Sequence, residues 1–230
     1  MRVIGIVGYK DSGKTSLIEE IIKNSNKKFG VIKHVHEEID IKDKDSYRFK
    51  EAGAKIVALT SDKEEVIFEN PKGLEEILSY FYMKELDFVL IEGFKKELNK
   101  LNIPKIVLLR DREEGELIDD YTALVIENNY NIDEVLKVIE EKAIIPTMNL
   151  NCKHCGYNCK GFVKALIKGE AKWDDCVLAK GRVKLVVDDK IIPLSPFVDD
   201  IVGNTIIAMI KTLKGVKDPK KINISINVKG

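Results

Sequence analysis

Several features that would mark particular protein classes are missing from this sequence. No cysteine occurs before residue 152. No apolar run approaches the roughly 18–20 residues of a membrane span, and the longest candidate, Ile201 to Ile210, is broken by Gly203, Asn204 and Thr205. Six prolines and 15 glycines in 230 residues are too few for a collagen-like or low-complexity chain. There is one tryptophan, and the lysines of the second half are spread singly. They read as a solvated face rather than a groove that stacks nucleic-acid bases. After Arg2 the apolar stretch Val3 to Val7 is too short for a signal-peptide core and runs straight into a glycine loop. These absences predict a cytoplasmic protein without a membrane segment, in which cysteines serve as metal ligands rather than disulfides.

Net charge is missing too, with 38 basic and 38 acidic side chains, but the balance hides an asymmetry. Residues 1–147 hold 23 basic and 30 acidic side chains, and residues 148–230 hold 15 and 8. A −7 part followed by a +7 part suggests two regions with different tasks. It also predicts either docking of the two within one chain or contacts between chains, a homodimer among them. With 44% hydrophobic residues the chain can bury a substantial core. Its length suits one medium domain, 1–147, and a smaller one, 148–230.

Val3 to Val7 reads as a buried strand, followed by a helix over Thr15 to Asn24 with Leu17, Ile18, Ile21 and Ile22 on one side. A second strand covers Phe29 to Lys33. Asp45-Ser46 caps a short helix ending near Gly53, and Ile56 to Leu59 and Val66 to Phe68 form a hairpin around Ser61-Asp62-Lys63. Leu74 to Met83 is helical, Phe88 to Ile91, Ile106 to Leu109 and Ala123 to Ile126 are strands, and Ile132 to Lys142 is an amphipathic helix. Alternation of this kind predicts an α/β domain with a mainly parallel sheet covered on both faces. Beyond Pro146 a small α+β module is expected, from Arg182 to Val187, Ile191-Ile192, a helix over about Val198 to Leu213, and a final strand, Ile222 to Val228.

The chemistry begins at Gly8-Tyr-Lys-Asp11-Ser12-Gly13-Lys14-Thr15, which fits G-x-x-x-x-G-K-[ST] between a strand and a helix. Glycines let backbone N–H groups point inward around a phosphate, and the helix N-terminus adds positive potential. Gly8, Asp11, Ser12, Gly13 and Ser16 line the expected nucleotide site. Lys14 is the residue that reaches the β- and γ-phosphates, and Thr15 the hydroxyl that ligates Mg²⁺. Glu92, directly after a strand, stands where a Walker-B-like carboxylate orients metal or water. Asp40 and Asp45 follow the second strand, where switch segments contact metal or γ-phosphate; a surface acid or helix cap is the alternative for each. His34 and His36 lack further ligands at metal spacing and read as polar contacts. Asp111 could accept from a guanine amino group, but the N/T-K-x-D pattern does not precede it, so the residues alone leave GTP and ATP both open.

Over residues 1–143 the chain resembles the molybdopterin-guanine dinucleotide biosynthesis protein B (MobB) family. The matching text is the loop Gly8 to Thr15, Ile32-Lys-His34, Lys44-Asp-Ser-Tyr-Arg48 with Glu51-Ala-Gly53-Ala54, and Asp87 to Lys95. The resemblance implies a GTP-binding adaptor with slow hydrolysis. Its partners would be molybdopterin and the guanylyltransferase that joins GMP to it.

All four cysteines fall in Cys152-x₂-Cys155-x₃-Cys159-x₁₆-Cys176. Three close cysteines and a distant fourth suit a [4Fe–4S] cluster, wrapped by one loop and completed by a separate segment. Zinc, which more often takes two separated C-x-x-C pairs, is the alternative. The segment resembles a four-cysteine iron–sulfur domain found in electron-transport subunits and corrinoid proteins, through Cys155-Gly156-Tyr157, Phe162, Gly169-Glu-Ala171 and Cys176. His154 reads as a hydrogen-bond donor or a solvated side chain. Three functions follow: an accessory protein of molybdenum or tungsten cofactor maturation, a nucleotide-gated electron donor, or a scaffold that binds without turnover.

Overall fold

The computed structural model describes residues 1–226 except Asp43, Asp111 and Asn128, and of Arg112 and Glu113 only the backbone. The chain runs β1 (Arg2–Val7), α1 (Lys14–Lys23), β2 (Phe29–Lys33), α2 (Asp45–Glu51), β3 (Ile56–Thr60), β4 (Glu65–Glu69), α3 (Leu74–Tyr82) and β5 (Phe88–Glu92). It continues with α4 (Lys95–Lys100), β6 (Lys105–Leu108), a 3₁₀ stretch (Arg112–Leu117), β7 (Thr122–Ile126) and α5 (Ile132–Lys142). Then come α6 (Cys159–Lys168), two short 3₁₀ turns, the two-residue strands β8 (Val186–Val187) and β9 (Lys190–Ile191), and α7 (Pro196–Lys211).

Five strands form one parallel sheet in the order β2-β5-β1-β6-β7. Parallel neighbours need crossover connections, and the helices supply them. Alternation along the strands then divides the core. Val3 and Val7 of β1 join Val89, Ile91 and Val107 under α3 and α4. Ile4 and Ile6 join Phe88, Leu90, Ile106 and Leu108 under α1 and α5. Each such fully buried Ile, Leu or Val is worth about 1.5–3 kcal/mol of transfer free energy. Gly5 leaves room for α4, because a Cβ there would collide with the Leu98 side chain. β3 and β4 pair antiparallel in a separate hairpin, as the sequence predicts.

The cores do not divide at residue 147. Ile191 of β9 is buried in the α3 side of the sheet core, with Val186 and Met148 packed beside it. Tyr121 and Ile144 are buried in a third core with Phe162, Leu166, Trp173 and Cys176. Ile144 also exchanges backbone hydrogen bonds with Val3 (2.7 and 3.2 Å), completing the ladder of β1 where β6 does not reach.

Two expected strands differ. Of Arg182 to Val187 only Val186–Val187 is a strand. The Arg182 and Val183 N–H groups donate instead to the Asp199 carboxylate of α7 (3.2 and 2.9 Å), so that side chain, not a partner strand, satisfies them. Residues 222–226 carry no regular structure, with Ile224 and Ile226 exposed and no strand pairing with them among the described residues; the rest of that expected strand lies outside the described residues.

Candidate functional site

β1 is the central strand, and the chain leaves it toward β2 on one side while β6 lies on the other. Ligands of open α/β sheets bind outside the carboxyl ends of the strands at such a switch point. The glycine loop stands there. Asp11 (φ 64°) and Gly13 (φ 85°) both take left-handed conformations, which turn successive backbone N–H groups to one side. A Cβ on Gly8 would lie 2.7 Å from the Leu108 carbonyl oxygen, so the loop start requires glycine. Thr15 and Ser16 follow Lys14 in the first turn of α1. The Lys14 ammonium donates to the Tyr9 carbonyl (2.6 Å) and the Ser12 hydroxyl (3.4 Å). Burial pulls the Lys14 pKa below its ordinary value; Glu92 opposes this and Lys33 adds to it.

Glu92 ends β5, which pairs with β1 on one side and β2 on the other, so Ile6, Glu92 and Lys33 stand in register. The Thr15 hydroxyl donates to Glu92 Oε2 at 3.5 Å. Lys33, which the sequence reading did not single out, lies 3.2 Å from Glu92 Oε1 and 3.3 Å from Thr15 Oγ1. Behind Glu92 the chain turns through Gly93 (φ 90°) and Phe94 (φ 54°), a left-handed pair unusual for phenylalanine. The Phe94 ring rests on His34, which also meets His36 edge to face, each at 4.7 Å. The histidines thus behave as ring contacts.

Asp40 is engaged within its own loop and α2. Its Oδ1 accepts from the Ser46 hydroxyl (2.9 Å) and the Ile41 N–H (3.0 Å), and Oδ2 pairs with Lys50 at 2.7 Å. The Lys50 hydrogen bond holds the Asp40 carboxyl below the usual carboxylate range. Asp45 lies in the first turn of α2, where its charge suits the helix dipole, and the N-cap position before it is held by Lys44 without a side-chain hydrogen bond, so Asp45-Ser46 does not cap this helix. Asp111 lies outside the described residues. Next to it, Arg110 pairs with the buried Glu114 (2.7 Å), its guanidinium 5.9 Å from the Tyr9 ring centroid. Thr15 and Glu92 are hard oxygen donors, and with Lys14 and the loop N–H groups they fit a magnesium nucleotide.

The cysteines line one small cavity together with Thr147, Leu150 and Phe162. The loop before α6 winds through left-handed residues at Met148, Asn149, Asn151, Lys153 and Gly156. Concavities of backbone N–H groups arise from such turns and hold phosphates and iron–sulfur clusters. Asn151 closes the loop, its N–H donating to Cys159 Sγ (3.2 Å) and its Oδ1 accepting from the Cys159 N–H (2.9 Å). Asn158 caps α6 by accepting from the Gly161 N–H (2.7 Å). Burial pushes the Cys176 thiol up to about 11, and the other three thiols add to the shift. Metal ligation deprotonates such a thiol outright. Thr147 is 1% exposed, and its hydroxyl on this wall has no hydrogen-bond partner among the described residues. Four soft donors around one cavity and an orphaned hydroxyl fit a cluster. Among the described residues, no three His, Cys, Asp or Glu side chains form a set that could hold a single metal ion. His154 is exposed.

Residues 3–127 match the family described as Molybdopterin guanine dinucleotide synthesis protein B, MobB. The chain belongs to the MobB family. Residues 149–178 match a second family, described as "Putative Fe-S cluster". A Methanocaldococcus jannaschii protein named "Putative molybdopterin-guanine dinucleotide biosynthesis adapter protein" is 62% identical over 99% of this chain and 98% of its own length. The Haemophilus influenzae molybdopterin-guanine dinucleotide biosynthesis adapter protein is 39% identical over 57% of this chain and 76% of its own. Among solved structures, Bacillus subtilis MobB is 23% identical, with a TM-score of 0.47 over 60% of this chain and 98% of its own. The Methanocaldococcus jannaschii match thus runs along nearly the whole chain, cysteines included, and the Haemophilus influenzae match along little more than half of it.

Proposed function

We propose that this chain is a magnesium-dependent GTP-binding adaptor of molybdopterin guanine dinucleotide biosynthesis, with slow GTP hydrolysis and a [4Fe–4S] cluster in its second part. The observation that carries the nucleotide reading is the approach of Thr15 Oγ1 to Glu92 Oε2, 3.5 Å, at the mouth of the glycine loop. Family membership and the two adapter relatives support the pathway. In this reading the N–H groups of residues 8–16 cradle the phosphates, and Lys14 neutralises the β- and γ-oxygens. Thr15 and Glu92 hold the metal, and Glu92 orients the attacking water. Magnesium supplies neutralisation of charge developing between the β- and γ-phosphates.

The nucleotide site belongs to residues 1–147 and the cysteine site to 148–230, although Ile191 packs into the core of the first and Tyr121 and Ile144 into that of the second. Cys152, Cys155, Cys159 and Cys176 ligate the cluster, Thr147 offers it a hydrogen bond, and the positive end of α6 stabilises its negative charge. The convergence of all four cysteines on one cavity supports a metal centre there, and the match of residues 149–178 to the iron–sulfur family favours a cluster over the zinc alternative. The partners are molybdopterin and its guanylyltransferase.

Calorimetry tests the nucleotide reading: wild type binds GTP with Mg²⁺, and Lys14→Ala weakens this by about tenfold to a hundredfold, the worth of a lost charge-assisted hydrogen bond. Wild-type protein that binds neither GTP nor ATP sinks it. Turnover that rises when the guanylyltransferase is added distinguishes the adaptor from an inert scaffold.

A further inference from the structure

Lys33 is the last residue of β2 and stands directly opposite Glu92 in the parallel register. The pairing leaves the two side chains beside one another at the carboxyl end of the sheet. The first turn of α1 brings Thr15 to the same point. Three contacts close a triangle: Lys33 to Glu92 Oε1 (3.2 Å), Lys33 to Thr15 Oγ1 (3.3 Å), and Thr15 to Glu92 Oε2 (3.5 Å). The ammonium therefore occupies lone pairs of both oxygen donors that fit magnesium. Its side chain is 47% exposed while that of Glu92 is 10% exposed, so the carboxylate is fixed and the cation on its flexible stem is the movable member.

We propose that Lys33 is a tethered counter-ion for the magnesium position and sets the magnesium threshold for nucleotide binding. This rests on the nucleotide reading above. A buried carboxylate next to a phosphate site needs a cation at all times. With no metal, Lys33 neutralises Glu92 and keeps Thr15 and Glu92 together. When a metal ion is to be held, the same oxygens must be released, since two cations at so short a separation repel. Lys33 is a positioning residue: it acts on the readiness of Thr15 and Glu92, and Lys14 with the loop N–H groups does the gripping of phosphate. An ion pair serving only to fasten edge strand β2 to β5 would make no such distinction between metal-bound and metal-free states.

The test is GTP affinity measured by calorimetry while free Mg²⁺ is raised from an EDTA-buffered baseline, for wild type, Lys33→Met and Lys33→Arg. Lys33→Met is expected to show two opposite changes. The Mg²⁺ concentration for half-maximal GTP binding falls about threefold to fivefold, the equivalent of a partly exposed ion pair no longer to be broken. Residual GTP binding in EDTA weakens by a similar factor, because Glu92 then faces the phosphates uncompensated. Lys33→Arg, whose guanidinium grips a carboxylate through a planar fork, raises the Mg²⁺ midpoint. Equal midpoints in wild type and Lys33→Met overturn the proposal, as does uniform weakening with lowered thermal stability, which is what strand fastening alone would give. Wild-type protein that binds no GTP at any Mg²⁺ concentration sinks the nucleotide reading itself, and this proposal with it.

Discussion

In the first half of the chain the groups of the site sit on strand ends and a first helical turn. Glu92 and Lys33 close adjacent strands, and Lys14 and Thr15 open α1. The cysteines instead sit on a loop of left-handed residues, at the start of α6 and between two 3₁₀ turns. The first site is pre-set by the register of a parallel sheet buried on both faces. The second is framed by a smaller core, to which the first half contributes Tyr121 and Ile144. The glycine-loop site is therefore shaped by its own sheet alone, while the cysteine site takes the sheet domain as one of its walls.

The largest effects would separate the two. Cys176→Ser removes a buried donor, and we expect loss of bound iron with unfolding of the α6 region, while GTP affinity measured by calorimetry stays within about twofold of wild type, as expected for distant sites. Lys14→Ala should do the reverse, leaving iron content intact. If each substitution abolished both properties, the contrast drawn above would be wrong.

An intermediate effect sharpens the contrast at the joint. Tyr121 OH donates to Asn102 Oδ1 (2.6 Å), and Asn102 Nδ2 donates to Asn149 Oδ1 (2.9 Å), two residues before Asn151 closes the cysteine loop. Asn102→Leu leaves the buried Tyr121 hydroxyl unpaired and should cost about 1–3 kcal/mol, read by urea unfolding followed by circular dichroism. Nearby, the Lys105 side chain is wholly buried and pairs with Asp119 at 2.5 Å. Burial raises the Asp119 pKa, but hydrogen bonds from Lys105, the Tyr121 N–H and Asn99 outweigh it, and the net shift is downward. A depressed carboxyl contributes stability that is present above its unfolded pKa, about 3.9, and lost as pH falls through the folded value. Asp119→Asn should therefore lower stability at pH 7 by about 3 kcal/mol, by leaving a buried ammonium unpaired. It should also flatten the loss of stability below about pH 4.

The smallest effect belongs to the charge asymmetry. Lys164–Asp120 and Lys221–Glu85 each join a cation of the basic part to an anion of the acidic part, the first half-exposed and the second exposed. Lys164→Ala with Lys221→Ala should shift the thermal midpoint only slightly at low salt and not at all at high salt. A large shift would mean that charge, rather than Ile191 in the sheet core and Tyr121 and Ile144 beneath α6, holds the parts together.

What was legible in the sequence was what is local in it. Gly8 to Thr15 and the cysteine set are contiguous or nearly so, and the apolar run before Glu92 announces a buried strand end. Lys33 was not legible as a site residue because β2 pairs with β5, some 59 positions away, and only that register sets it beside Glu92. Asn102, Tyr121 and Thr147 escaped for the same reason: their meaning lies in partners or a cavity wall that no spacing reveals. Arg182 and Val183 fall outside the strand expected over Arg182 to Val187 because the Asp199 carboxylate of α7, 16–17 residues away, takes their N–H groups.

The claim that the chain joins a nucleotide site to a cluster site is tested most directly by iron, zinc and acid-labile sulfide in anaerobically purified protein. Roughly four iron and four sulfide per chain, the composition of a cubane, is the predicted result. One zinc per chain with no sulfide would contradict it.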